Sequence, residues 1–164
     1  RRKMKISMIA AIGENAEIGR NNDLLWHLPD DFKWFIKHTK GKTVIMGRNT
    51  MMSLGKPLKN RVNVVLSSRN EDIIPGFDHF ATLEEALSGL KDQEEVMIIG
   101  GGKLYDYALP ICQRLYITHV DKSFDDADTY FPKITEDWKV SYEEFHSIDE
   151  KHKSSFTFKI YERS

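Results

Sequence analysis

Five short runs of β-branched and aliphatic residues recur along the chain, each closed by glycine or polar residues: KISMIAAIG (5 to 13), TVIMG (43 to 47), VNVVLSS (62 to 68), EVMIIGGG (95 to 102) and RLYITHV (114 to 120). Runs of this length and punctuation predict buried strands. Between them, helical periodicity appears at 30 to 39, 49 to 55, 82 to 90 and 103 to 109. The segment TLEEALSGL opens with Thr82 as N-cap and Glu85 three residues later, a capping box. Alternating strands and helices predict an α/β fold, a mostly parallel sheet with helices on its faces. After Pro132 the pattern changes to WKVSYEEFHS and SSFTFKIYE. These alternating segments are expected to add antiparallel strands at one edge. No internal repeat, low-complexity tract or linker interrupts the chain.

A length of 164 residues suits one domain, expected over 1–164. Arg1, Arg2 and Lys3 precede Met4, so the natural start is expected at Met4, with the first three residues foreign to the protein or disordered. With 40% hydrophobic and 30% charged residues, no membrane-length apolar run and no charged-then-apolar leader, the expected location is the cytoplasm, away from membranes. The single Cys112 excludes an internal disulfide and is expected to be a buried or incidental thiol. Six scattered histidines without HExxH or CxxC spacing give no reason to expect a metal site. His119 is expected to be packed or hydrogen-bonded.

The net charge is only −1, yet 32 to 70 holds nine Lys or Arg and no acid. Subtracting those nine from the 24 bases leaves 15 against all 25 acids, so the remainder carries about −10. The block is either a solvated surface or the footprint of an anionic ligand.

LLWHLPDDFKWFIKHT (24 to 39) places two acids after a proline where a helix begins. Pro29 suits the first turn, where its missing N–H costs little. At about 100° per residue, Leu28, Phe32, Phe35, Ile36 and Thr39 share one arc, with Lys33 and Lys37 opposite. Asp30 points away from that arc and reads as a helix N-terminal charge, worth under about 1 kcal/mol. Asp31, on the margin, admits two readings. It is another such charge, or it is a carboxylate among Phe and Trp that needs a donor-rich partner to offset desolvation. A ligand with paired N–H groups would be such a partner.

VMIIGGGKLYDYALP (96 to 110) runs a strand through three glycines into a helix, either a tight turn or a backbone cradle for phosphate. It matches neither GxGxxG nor a P-loop. VIMGRNTMMSLGKPL (44 to 58) repeats the strand, glycine and helix with Arg48 and Thr50 at the helix mouth, and VVLSSRN (64 to 70) ends in Ser67, Ser68 and Arg69. Three such strand ends lie where open α/β sheets bind ligands.

Taken in order, IAAI, LLWHLPDDFKWF, VIMGRNT, LGKPLKNR, VLSSR, MIIGGGKLYDYALP, LYITHV and DADTYFP resemble the dihydrofolate reductases of the bacterial chromosomal type, from Lys5 to Arg163. The resemblance implies an eight-stranded mixed sheet with four helices, NADPH as cofactor, and dihydrofolate or antifolate-type molecules as ligands. It implies hydride transfer to C6 of the dihydropterin with protonation of N5, by a monomer that binds no nucleic acid. In that frame Asp31 is the carboxylate facing the pterin N3 and 2-amino group, and Thr118 is its hydrogen-bonded partner. Trp26 helps to hold an ordered water, and the loop near Leu24 admits the water that delivers the proton. Ile9, Ala10, Phe32, Phe35, Leu58 and Ile99 become pocket walls. Arg61 meets the substrate's α-carboxylate, with Lys56 as a weaker contact.

On the cofactor side, the resemblance assigns nicotinamide contacts to Ala11, Ile18 and Gly19, with Asn22 to Leu24 in a closing loop. Arg48, Ser68 and Arg69 fall at the adenosine 2′-phosphate, with Leu66 and Ser67 beside them. Gly47, Asn49, Thr50, Ile99, Gly101, Gly102, Lys103, Leu104 and Tyr105 fall at the pyrophosphate and its neighbours, and Gly100–Gly101 matches a pair joined by a cis peptide. Two positions depart from the family pattern: Leu25 stands where many members carry proline, and Phe32 where leucine is more usual. Two rival functions are a same-fold reductase of riboflavin synthesis and a non-catalytic nucleotide- or RNA-binding module.

Overall fold

The structure is a computed structural model describing residues 4–19 and 28–163. In chain order its elements are β1 (Lys5–Ile12), β2 (Glu17–Gly19), α1 (Pro29–Thr39), β3 (Thr43–Gly47), α2 (Arg48–Leu54), β4 (Val62–Leu66), β5 (Phe77–Phe80), α3 (Leu83–Gly89), β6 (Glu95–Ile98) and α4 (Gly102–Ala108). A 3-10 turn (Leu109–Ile111), β7 (Arg114–Val120), β8 (Thr129–Tyr130), β9 (Trp138–His146) and β10 (Phe156–Arg163) complete it. Eight strands form one sheet in the order β5-β4-β3-β6-β1-β7-β10-β9. The first six are parallel, and β10 pairs antiparallel with both β7 and β9, as the change of pattern after Pro132 implies.

The central strands are apolar on both faces because helices cover both. Met8, Ile45, Val64 and Ile98 pack with Leu83 and Ala86 of α3 and Tyr105 and Ala108 of α4. The alternate residues Val44, Met46, Val65 and Met97 pack with Trp34 of α1 and Met51 of α2. Each fully buried aliphatic side chain contributes about 1.5–3 kcal/mol relative to exposure. Thr82 accepts the Glu85 N–H at 3.2 Å, so the expected cap forms. Cys112 is buried, and burial pushes its thiol up to about 12.

Several boundaries differ from the sequence pattern for local reasons. The helix expected over 49 to 55 ends at Leu54, because Gly55 adopts the left-handed conformation (φ 74) and closes it as C-cap. The strand in the run 62 to 68 ends at Leu66, although the Ser67 N–H still donates to the Phe80 carbonyl at 3.1 Å. β5, reading FDHF, escapes periodicity analysis because only Phe77 is buried. Of the arc on α1, Leu28 and Thr39 are buried and Phe35 packs on the core. Trp34 turns to the sheet at 6% exposure and stacks on Phe158 at 4.3 Å, whereas Phe32 is 63% exposed and Ile36 37%. Trp34 offers the larger planar surface to the sheet from outside that arc, whose Phe32 and Ile36 stay open.

Three ionisable groups make stability depend on pH. Burial, reinforced by the charges of Lys42 and Lys37, lowers His38 from 6.5 to about 4. Burial and Lys159 lower His119 to about 4, and its Nε2 lies 2.7 Å from the Tyr161 hydroxyl. Burial would raise Glu95, but the Lys42 and Ser7 hydrogen bonds, the Lys42 charge and the Tyr116 hydroxyl hold it below its ordinary 4.5. All three folded values are depressed, so their contributions are complete above the unfolded values and lost on acidification. Stability in urea titrations is expected to fall between pH 6.5 and about 4 through the two histidines, with Glu95 adding to the loss below 4.5. A His119→Gln variant should show a shallower decline through the upper window.

Candidate active site

The parallel strands β3, β6 and β1 all end on one side of the sheet, and β7 runs beside β1 with Thr118 opposite Ala11. Thr118 is fully buried, and its hydroxyl donates to Asp31 Oδ1 at 2.6 Å. Asp31 belongs to the first turn of α1, where its own N–H reaches the Leu28 carbonyl at 3.0 Å. The carboxylate is thus held from its helix and from the sheet. Charge-assisted bonds of this kind are among the strongest available to side chains.

The predicted pocket walls other than Phe32 are buried or half-buried on the two faces of the same sheet. Ile9 is buried, and its carbonyl accepts from the Tyr105 hydroxyl at 2.7 Å. Phe35, Leu58 and Ile99 pack on the Trp34 side of the core, and Ala10 packs on the opposite cluster. Arg61 lies with its guanidinium 5.9 Å from the Phe35 ring centroid. Its Nε donates to Thr39 Oγ1 at 2.8 Å and one terminal nitrogen to the Lys59 carbonyl at 2.6 Å. Lys56 is exposed.

Asn63 was absent from the sequence-based assignment. It is 3% exposed, accepts the Leu58 N–H at 2.9 Å, and donates to the carbonyls of Leu58 and Arg61 at 3.0 and 3.1 Å. A polar residue within the apolar run VNVVL was the available signal, since a buried amide requires partners.

The second half of the cleft is built from glycine. Gly100 and Gly101 are joined by a cis peptide, as in the pattern the chain resembles, and Gly100 has φ 122, a conformation that favours glycine. The Gly47 N–H donates to the Gly100 carbonyl at 2.8 Å, tying the end of β3 to this turn. A Cβ at Gly100 would lie 3.5 Å from Thr50 Oγ1, one at Gly101 3.7 Å from it, and one at Gly102 only 2.6 Å from Thr129 Cγ2 and 3.9 Å from Ile18. The backbone is therefore bare beside a hydroxyl, a cradle that fits a phosphate-bearing group.

Beyond that cradle, Arg48 donates to the Glu71 carbonyl at 2.9 Å and lies 3.5 Å from Asp72. Leu66, Ser67, Ser68 and Leu104 line a recess of about 390 Å³ together with Leu83 and Tyr107. Arg69 donates its N–H to Ser67 Oγ at 3.2 Å. Asn49 and Lys103 are exposed, and Gly19 closes β2. Trp26, Leu24, Leu25 and Asn22 lie outside the described residues. A wider recess of about 600 Å³, lined by Gly13, Asn15, His119, Trp138 and Tyr161 among others, contains none of the predicted site groups.

Comparison with known proteins matches residues 5–163 to the family model described as dihydrofolate reductase. The chain is 38% identical to the dihydrofolate reductase of Haemophilus influenzae, covering 98% of this chain and 99% of that protein. It is 39% identical to that of Bacillus subtilis (96% and 94% covered) and 42% identical to dihydrofolate reductase type 3 of Salmonella typhimurium (94% and 96% covered). Among solved structures it is similar to dihydrofolate reductase from Enterococcus faecalis complexed with NADP(H) and RAB-propyl, with TM-score 0.90, 31% identity and 99% of each chain covered.

The Thr118–Asp31 bond sets a measurable cost. Thr118→Val, which keeps the shape and removes the donor, is expected to lower unfolding stability by about 2 kcal/mol. Thr118→Ser should recover most of that loss in the same urea titration.

Proposed function

The chain belongs to the dihydrofolate reductase family, and from that premise we propose that its cleft reduces 7,8-dihydrofolate to 5,6,7,8-tetrahydrofolate with NADPH as cofactor. The observation that carries the reading is the Asp31 carboxylate held by Thr118 at 2.6 Å on the first turn of α1. The rival readings, a riboflavin-pathway reductase and a non-catalytic nucleotide- or RNA-binding module, give way to this membership.

Asp31 receives the paired N–H groups of the pterin, N3 and the 2-amino group, as a carboxylate accepts parallel donors well. Thr118 fixes the orientation of that carboxylate. Asp31 binds and polarises the ring, while water brings the proton to N5. Ile9, Ala10, Phe32, Phe35, Leu58 and Ile99 wall the substrate and exclude bulk water. Arg61 receives the α-carboxylate of the glutamate tail, with Lys56 outside it.

When bound, NADPH supplies the hydride for C6. The bare backbone of Gly100–Gly102 and the Thr50 hydroxyl suit its pyrophosphate, with Gly47, Asn49, Lys103, Leu104 and Tyr105 nearby. Arg48, Ser68 and Arg69 suit the 2′-phosphate, with Leu66 and Ser67 along the adenosine. Ala11, Ile18 and Gly19 border the nicotinamide. The chain's own contribution to rate is positioning and water exclusion. A monomer in the cytoplasm is the proposed working form. The single buried Cys112 suits a reducing compartment, and no described helix is long and apolar enough to cross a membrane.

Following cofactor absorbance in a mixture of protein, NADPH and dihydrofolate tests the reading directly. Turnover by Asp31→Asn is expected to vanish nearly completely at neutral pH and to recover partly in acid, where the substrate arrives protonated; equal rates for variant and parent at every pH would refute the role of Asp31. Arg48→Ala should raise KM for NADPH by about tenfold while leaving KM for NADH unchanged, since the difference between the two dinucleotides is one phosphate.

A further inference from the structure

Helix α1 begins with Leu28 as N-cap, a residue with no side-chain acceptor to offer. Its first-turn donors can nevertheless be followed one by one. Pro29 has no N–H. Asp31 and Phe32 both donate to the Leu28 carbonyl, at 3.0 and 3.2 Å. Asp30 remains, and its N–H donates to Nε2 of His152 at 3.2 Å, from a residue 122 positions later in the turn joining β9 to β10.

That contact defines the imidazole. A ring nitrogen that accepts has its lone pair committed, so the proton resides on Nδ1. Nδ1 in turn faces Asp149 Oδ1 at 2.7 Å and donates to it. The same oxygen accepts the backbone N–H groups of Lys151 and His152 at 2.9 and 2.8 Å. Asp149 and His152 also exchange backbone bonds of 3.1 and 3.3 Å. The ring is 1% exposed and rests against Phe156 with centroids 5.1 Å apart. The Asp30 carboxylate lies 3.9 Å from Nε2, and Lys33 lies 3.8 Å from that carboxylate. A buried histidine with both nitrogens committed, one of them to a helix terminus, does more than fill space.

Resting on the function proposed above, we infer that His152 is a positioning residue for dihydrofolate binding: it supplies the N-cap that α1 lacks and so fixes the first turn from which Asp31 meets Thr118. Asp31 follows the capped residue directly, so loosening of that turn displaces its carboxylate relative to β7. The described groups assigned to NADPH stand on other elements, on β1 and β2, at the end of β4 and at the starts of α2 and α4, and do not share this dependence. The effect is therefore selective for one of the two ligands, which distinguishes positioning from general support of the fold.

Two polar substitutions separate the bonds. The side-chain amide of His152→Asn reaches only the region of Nδ1 and keeps the Asp149 contact, whereas His152→Gln places a carbonyl acceptor near Nε2 for the Asp30 N–H. With thermal unfolding as control, steady-state kinetics and equilibrium dihydrofolate binding by tryptophan fluorescence are measured for both. His152→Asn is expected to raise KM and Kd for dihydrofolate about fivefold, the scale of a lost helix cap, with KM for NADPH unchanged. His152→Gln is expected to stay near the parent in all three. Equal behaviour of the two variants, a matching rise in KM for NADPH, or unfolding of His152→Asn would each overturn the inference, the last by making the histidine a structural residue. A parent protein that fails to turn over dihydrofolate would remove the functional reading and this inference together; parental turnover with two indistinguishable variants would remove the inference alone.

Discussion

A hydroxyl in the middle of the sheet and a carboxylate at the tip of a helix, 87 residues apart, share one short hydrogen bond, and the cleft is organised around it. Taking an ionised carboxylate into an apolar wall is unfavourable unless donors meet it. Thr118 can donate because β7 is registered against β1 with Thr118 opposite Ala11. A slip of one residue would turn that hydroxyl to the other face of the sheet. The register is specified by apolar packing on both faces, with Leu115 and Ile117 on one side and Tyr116 and Val120 on the other. Hydrophobic patterning thus decides which face of the sheet presents the Thr118 hydroxyl.

Charge is distributed differently from its appearance in the chain. The nine bases between 32 and 70 do not act together. Lys42 meets Glu95 at 2.7 Å, Lys33 approaches Asp30, and Arg48 lies beside Asp72. Arg61 donates instead to neutral oxygens of Thr39 and Lys59. Acids from outside the block therefore offset part of it locally, and the positions read as ligand-binding are a subset set by which strand end each residue occupies. The glycine turn beside Thr50 keeps its backbone bare, and at Gly102 an added Cβ would lie only 2.6 Å from Thr129 Cγ2.

Most of the fold was legible because the central strands are short, apolar and sharply punctuated, and because Thr82 and Glu85 announce a helix locally. β5 was not, since FDHF buries one residue and leaves no period to detect. The arc of apolar residues on α1 did not say which of them would meet the core: Leu28 and Thr39 are buried, Phe32 and Ile36 are not, and Trp34, off the arc, reaches the sheet. The site divides in the same way. Strand-end glycines, hydroxyls and guanidinium groups could be read residue by residue, whereas the pairing of Asp31 with Thr118 depended on resemblance. The contacts of His152 were invisible, because a partner 122 residues away leaves no local signature, whereas Asn63, bonded to Leu58 and Arg61 close by in the chain, left only the polar interruption of VNVVL as a clue.

The three hydrogen bonds of Asn63 have a thermodynamic corollary for Arg61. They lock the 58–61 turn during folding, while Thr39, Lys59 and the Phe35 ring hold the guanidinium in place. An anion meeting Arg61 in the role proposed for it would find a preorganised fork, the rotamer entropy of a long, flexible side chain having been surrendered before any encounter. Contact energy at that end of the cleft is then expressed chiefly as residence time of the complex, with little of it diverted into ordering the protein.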